Sequence, residues 1–493
     1  MADEPQDRTA GEEKADRVAH NTAVRAIGEI VGKLASLVLF AALAREVGAH
    51  DLGAFVFALA WAQLATIPID LGFDWYVVRT ISRDKSKLEE LFFNTFALKL
   101  RRAAVVTVVS FALISVLDYD EQTRLAVYLL TAGTLLDSLS QTVFAVFNAH
   151  ERGYLAGIAL VVQRVGAAGL GLVALYLGGD VVAVSATFSI GTAVGFVVAL
   201  VLMARKIGMP ARTFPREGRE GLKRTSRSYG AQDVLGVVLA KLDVVLLSLL
   251  ATGAAIGRYG AAYRLLEATF FFVSAISGAF VAMYSYLTLD SEPTVKSVFG
   301  HSIKLALVGL VPCGVVFAVL ADPLARVIFG DDLAGAADPL RLLGPTAVLL
   351  GIITLGSSLL IGRREPHVIV RLAAGAVAIN VALNLILIPP YEDQGAAAAM
   401  VATGVVFTAL VLFEASRTVG GMDWRATFAG PLLAGTAMTA VMVPLSGSLL
   451  PALAAGVPAY VLVLWLVERT TNPEDVEFVL SMVRRRLPSP RSA

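Results

Sequence analysis

The stretch RAIGEIVGK, residues 25–33, sets Arg25, Glu29 and Lys33 one helical turn apart at the head of a long apolar run, LASLVLFAALA (34–44). The run reads as bilayer core. A charge near the middle of a membrane helix costs about 2.5–3.5 kcal/mol on insertion scales. Residues spaced by four share one helical face. The face carrying this trio must therefore meet protein or water instead of lipid.

The rest of the chain fits that reading. Of 493 residues, 56% are hydrophobic and 16% charged, and the mean hydropathy is +0.71. A water-facing surface needs more charge than this. Runs of the roughly 20 apolar residues that cross a bilayer recur from end to end, so the fold class is an all-α polytopic membrane protein. The formal net charge of +1 identifies no partner and gives no sign of nucleic acid binding. The lone cysteine, Cys313, rules out an intramolecular disulfide. Residues 1–20 are polar, without a signal-peptide pattern, and read as a disordered cytoplasmic tail before a first span that acts as an uncleaved anchor.

Hydrophobicity and breaker residues predict about fourteen transmembrane helices. They fall near 22–45, 52–78, 91–117, 123–148, 154–177, 181–204, 228–250, 257–287, 299–320, 339–361, 367–388, 395–415, 426–446 and 449–467. The third is interrupted by Lys99, Arg101 and Arg102, so its first turns read as rising from the headgroup zone. An even count puts both termini on one side. Loops and tails on that side hold about 26 Lys and Arg against about 2 opposite, which makes it cytoplasmic. The opposite loops are acidic or neutral: LDYDEQ (117–122), FGDDLAG (329–335) and PPYEDQ (389–394). Their acid pairs, Asp118 with Asp120 and Asp331 with Asp332, read as solvated turn acids.

The expected organisation is an N-lobe of six helices (21–204), a basic cytoplasmic linker (205–227), a second lobe of six helices (228–418) and a final helix pair (426–467). Residues 468–493 form a cytoplasmic tail whose stretch 472–488 reads as an amphipathic surface helix. The two six-helix lobes read as pseudo-symmetric parallel repeats. Glu29 lies 24 residues before Gly53, and Asp233 lies 24 before Gly257.

Ionisable residues inside spans mark candidate sites. Asp70, Asp137, Arg164, Asp233, Lys241, Asp243, Arg264, Glu267 and Lys304 join the opening trio. Counted at about 1.5 Å per residue, Lys33, Asp137, Arg164 and Lys241 come near the midplane. Arg25, Lys304 and Arg371 lie close enough to the cytoplasmic face to snorkel. Two readings stand: buried ion pairs that hold helices together, or a hydrated cavity for a polar, anionic cargo.

Three stretches carry a family resemblance: LAREVGAHDLGAFVFALAW (43–61), DLGFDWYVVRTISRD (70–84) and INVALNLILIPPYEDQGAAAAMVAT (379–403). The Ala-Arg-x-x-Gly turn, the Asp-Leu-Gly followed by Arg79, and the paired Asn380 and Asn384 before a Pro and a Gly-Ala run resemble Wzx-like polysaccharide-repeat-unit flippases. These belong to the multidrug/oligosaccharidyl-lipid/polysaccharide (MOP) superfamily. The resemblance implies a non-enzymatic, MATE-like transporter of the cell membrane that moves a polyprenyl-diphosphate-linked oligosaccharide to the outer leaflet by alternating access. It implies diphosphate binding by Arg25, Lys33, Arg164, Lys241 and Arg264. Glu29, Asp70, Asp137, Asp233 and Glu267 are the acids available to a coupling ion, H⁺ or Na⁺, or transport is uncoupled. No cofactor, metal site or catalytic residue is expected. The implied partners are the lipid-linked oligosaccharide, membrane lipids, and the polymerase and glycosyltransferases of the same assembly. A peptidoglycan lipid-precursor flippase, an ion-coupled drug exporter and, more distantly, a membrane glycosyltransferase or polymerase are the alternatives. On the residues alone, Asn380 and Asn384 are expected to make interhelical hydrogen bonds, and Gly48 and Gly53 to form a tight external turn.

Overall fold

The computed structural model describes residues 4–211, 213–214, 216–286, 292–363 and 366–471. The expected amphipathic helix at 472–488 lies outside them. The helices are α1 (Glu4–Asp70), α2 (Phe73–Arg83), α3 (Leu88–Val116), α4 (Glu121–Ala149), α5 (Gly153–Tyr176), α6 (Val181–Lys206) and α7 (Arg216–Leu250). They continue as α8 (Gly253–Tyr286), α9 (Glu292–Val319), α10 (Ala321–Phe329), α11 (Ala337–Gly362), α12 (Pro366–Thr418), α13 (Trp424–Met442) and α14 (Leu449–Thr471). Among the described residues, nine helical segments are long and apolar enough to cross a membrane. The protein is a multi-pass, all-α membrane protein.

Local chemistry sets the breaks. α1 bends at Gly48 (φ 72°), a left-handed conformation that glycine adopts without strain. α12 bends at Glu392 (φ 45°), just after Pro389 and Pro390. Glu392 holds this costly backbone through its carboxylate, which accepts from Arg258 at 3.3 Å and Thr252 at 3.4 Å. Three helices start on aspartate N-caps: Asp120, Asp180 and Asp423 accept at 3.0 Å from the amides of Thr123, Ala183 and Ala426. Asp120 is thus a capping residue of α4. Burial works against its ionisation, but the Thr123 hydroxyl and amide hold its carboxyl below the ordinary range.

One expectation is corrected here. The second span does not run to residue 78. It stops at Asp70, because Leu71 (φ 35°) and Gly72 (φ 74°) turn the chain left-handed before α2 begins. In α3, an unbroken helix, the Lys99 side chain is fully buried.

The chain forms two compact units. One joins the chain up to Ala261 with Val377–Ala396, the other Ala262–Ala376 with the chain from Ala397 onward. In the first unit, Phe73, Phe92, Phe147, Leu155 and Met203 pack one apolar core. In the second, Phe299, Leu310, Leu355, Met438 and Tyr460 belong to another. Lipid tails are as apolar as leucine, so close fit at small residues must do much of the helix pairing. In the first unit a Cβ on Gly53 would fall 2.0 Å from the Gly253 carbonyl oxygen, and one on Gly257 1.9 Å from that of Ala49. Gly53 is therefore a helix contact and Gly48 alone is the turn. Asn380 and Asn384 are buried, and Asn384 donates along its own helix to the Asn380 carbonyl (2.9 Å) and side-chain oxygen (3.0 Å). That bond is intrahelical, contrary to expectation.

Candidate functional site

The opening ladder faces α5. Gly28 lies where a Cβ would come 3.0 Å from the Gly157 carbonyl oxygen, and a Cβ on Gly32 would sit 3.1 Å from Cγ of Arg164. Glycines four apart on α1 thus admit α5 at backbone distance and let the Arg164 stem lie across Gly32. Charges at 25, 29 and 33 then border the same seam. α4 adds Gln141 and Phe144 to the wall, and α5 adds Ala156, Gly157, Leu160 and Arg164. The pocket has a volume of about 220 Å³.

Its electrostatics are lopsided. Arg25, Lys33 and Arg164 face one carboxylate, Glu29, and one amide, Gln141. Arg25 donates through Nε to Glu29 Oε1 at 3.2 Å and through Nη1 to Asn148 Oδ1 at 3.0 Å. Among the described residues, the Nε of Arg164 is buried without a hydrogen-bond partner. An orphaned buried donor is rare and calls for an explanation. The arrangement can take up an anion with several acceptor oxygens.

The other expected site residues lie elsewhere. Asp137 accepts from Gln163 Nε2 at 2.7 Å, and Asp233 from Trp75 Nε1 at 3.0 Å. Lys241 is half-buried on α7 and does not line this pocket. In the second unit, Arg264 pairs with Glu267 at 3.0 Å. Asp70 belongs to a cluster around the buried Lys99. Lys99 Nζ sits 2.9 Å from Asp70, 2.8 Å from Asp74 and 2.8 Å from the Ser138 carbonyl. Ser138 and Thr142 add hydroxyl donors to the two carboxylates. Lys304 does not snorkel: it pairs with Glu468 in the second unit, both side chains nearly buried. Among the described residues, no three or more His, Cys, Asp or Glu come together as metal ligands.

Several polar partners escaped the sequence reading. Asp74 lies one turn after Asp70, a spacing that asks for a shared cation, though nothing in the sequence points to Lys99 as the answer. Asp243 is fully buried, with the Tyr259 phenol donating to Oδ2 at 2.6 Å and Oδ1 unpartnered. Gln141 and Asn148 are neutral and carry no hydropathy signal.

Comparison with known proteins bears on the fold and the family. The chain is 23% identical over 374 residues to "Probable low-salt glycan biosynthesis flippase Agl15" of Haloferax volcanii, covering 74% of this chain and 77% of that protein. Its fold is similar to lipid II flippase MurJ in an inward closed conformation, with a TM-score of 0.78 and 13% identity, covering 91% of this chain and 99% of that one. An inward-facing multidrug resistance MATE family transporter of the MOP superfamily aligns with a TM-score of 0.66 and 16% identity, covering 79% and 94%. These likenesses establish a shared fold. The family described as "Polysaccharide biosynthesis protein" matches residues 18–284. With that match running over more than half of the 493 residues, the chain belongs to the polysaccharide biosynthesis protein family.

Proposed function

We propose that the protein is a flippase that carries a polyprenyl-diphosphate-linked oligosaccharide from the inner to the outer leaflet by alternating access. The observation that carries this reading is Arg164. Its buried Nε lacks a partner among the described residues, and Arg25 and Lys33 line the same pocket. A diphosphate offers acceptor oxygens to all three through charge-assisted hydrogen bonds. Pockets that enclose whole small molecules run to about 300–1,000 Å³. A space of about 220 Å³ suits the diphosphate better than a sugar chain. The family supplies polysaccharide assembly as the setting.

The bent helices support fourteen crossings. The segment Ile27–Asp70 has 44 residues. At about 1.5 Å per residue it spans twice the bilayer core, so α1 crosses twice about Gly48. α12 does the same about Glu392. The charge-bearing α3, α7 and α8 complete the count, in two six-helix lobes and the α13–α14 pair, with both termini cytoplasmic. Lys241 and Arg264 then serve the cargo's path at another stage, and Asp137, Asp233 and Glu267 are the acids that would meet a coupling ion. A flippase for the peptidoglycan lipid precursor is a second reading, supported by the fold likeness to MurJ. A cation-drug exporter fits a pocket of three cations and one acid poorly.

The test is complementation in a host lacking its own repeat-unit flippase. Wild type should restore surface polysaccharide. Arg164→Ala should leave lipid-linked repeat units on the cytoplasmic leaflet at normal protein abundance. Restoration by Arg164→Ala would refute the assignment, and rescue only of a wall-precursor flippase deficiency would favour the second reading.

A further inference from the structure

We infer that Glu29 is a resident anion of the pocket, one that holds Arg25 when no cargo is bound and that the cargo's phosphate must displace. The inference rests on the anion-binding reading above. Three observations carry it. Glu29 is the sole carboxylate among the described lining residues, and it sits on Arg25 at 3.2 Å. The pair is weakly held: the side chains are 45% and 32% exposed and lie one turn apart on a single helix, a class of ion pair that contributes little. Finally, Asn148 holds the guanidinium from its other side through Nη1 at 3.0 Å, so Arg25 keeps its place when Glu29 leaves.

A phosphate approaching this pocket meets a guanidinium already positioned and only lightly occupied. Charge-assisted contacts from Arg25, Lys33 and Arg164 to its oxygens outcompete one half-exposed carboxylate. The groups facing Glu29 are Arg25 and Lys33 from α1, Arg164 from α5, and the neutral Gln141 and Asn148 from α4. When cargo departs, Glu29 reoccupies Arg25, which speeds release. Glu29 is thus a specificity and release residue: it admits only anions that bind more strongly than a carboxylate, and it keeps the site from trapping them.

The test is titration of inorganic diphosphate, and separately of farnesyl diphosphate, into the purified full-length protein. Glu29→Gln should bind both about tenfold tighter, the scale of one partly screened charge contact. Glu29→Ala should shift in the same direction. In an Arg25→Gln background the gain should fall to about twofold or less, because the competition is for Arg25. Transport by Glu29→Gln should show a lower KM together with a lower kcat. Unchanged or weaker binding by both Glu29 variants, or a gain undiminished in Arg25→Gln, would overturn the inference while leaving the site intact. Diphosphate bound by neither wild type nor the Glu29 variants would overturn the anion site and the proposed function with it.

Discussion

Gly53 and Gly257 pack backbone to backbone: a Cβ built on either would fall 3.2 Å from the amide nitrogen of the other. The contact is reciprocal. These are the two positions that the 24-residue spacing from Glu29 and Asp233 matches in sequence.

A side chain at either position must push helices apart, because the obstructing atoms are the Gly253 and Ala49 carbonyls and cannot rotate away. Gly53→Ala and Gly257→Ala should each lower stability by about 1–3 kcal/mol. The double variant should cost clearly less than the sum, since the first substitution already separates the helices. Thermal unfolding in detergent checks this, and strict additivity would show that the two glycines act independently.

The cluster of the buried Lys99 with Asp70 and Asp74 gives a second expectation. Lys99→Met leaves two carboxylates four residues apart without their cation and should cost about 1.5–3 kcal/mol, the scale of a lost charged hydrogen bond, seen as loss of folded protein from the membrane. Adding Asp70→Asn and Asp74→Asn to Lys99→Met should recover most of the loss. No recovery would assign Lys99 a role beyond neutralising that pair.

How much of this was legible in the sequence follows from the physics of each residue. The membrane class and the bends were readable because lipid demands long apolar runs, and because Gly48 and Pro389–Pro390 interrupt them. The break at Asp70–Gly72 was missed because a single glycine in an apolar context looks like tolerated punctuation. The ladder of Arg25, Glu29 and Lys33 declared its shared face by spacing alone. That Arg164 joins it and Lys241 does not depends on which helix meets which, and that is decided by Gly28, Gly32 and Gly157 at contact distance. Lys99 read, with Arg101 and Arg102, as a disturbance of its helix, since cations in an apolar run do not announce carboxylates 25 and 29 positions earlier.

In the second unit, Lys304 and Glu468 tie α9 to α14 at 12% and 10% side-chain exposure. Either Lys304→Met or Glu468→Leu alone strands a charge in an apolar setting and should lower the melting temperature by several degrees. The double apolar variant should melt near wild type or above it, as replaced buried pairs often do. A double variant worse than both singles would contradict this account of the pair.

The charge asymmetry of the loops predicts sidedness. On a Cys313→Ser background, a membrane-impermeant maleimide should label Asp332→Cys in intact cells. Met209→Cys, half exposed in the 205–227 stretch, should label only after permeabilisation. The opposite pattern would invert the topology.

The central claim is that the Arg25–Lys33–Arg164 pocket grips the diphosphate during transport. The measurement that tests it most directly is leaflet-resolved flipping of labelled lipid-linked oligosaccharide in proteoliposomes by Arg164 variants. Arg164→Lys keeps a point charge but loses the planar fork, so it should retain partial activity. Arg164→Ala should fall by at least about tenfold, the equivalent of losing one charged hydrogen bond of roughly 1.5–3 kcal/mol. Flipping by Arg164→Ala at the wild-type rate, with folded protein in equal amount, would contradict the account.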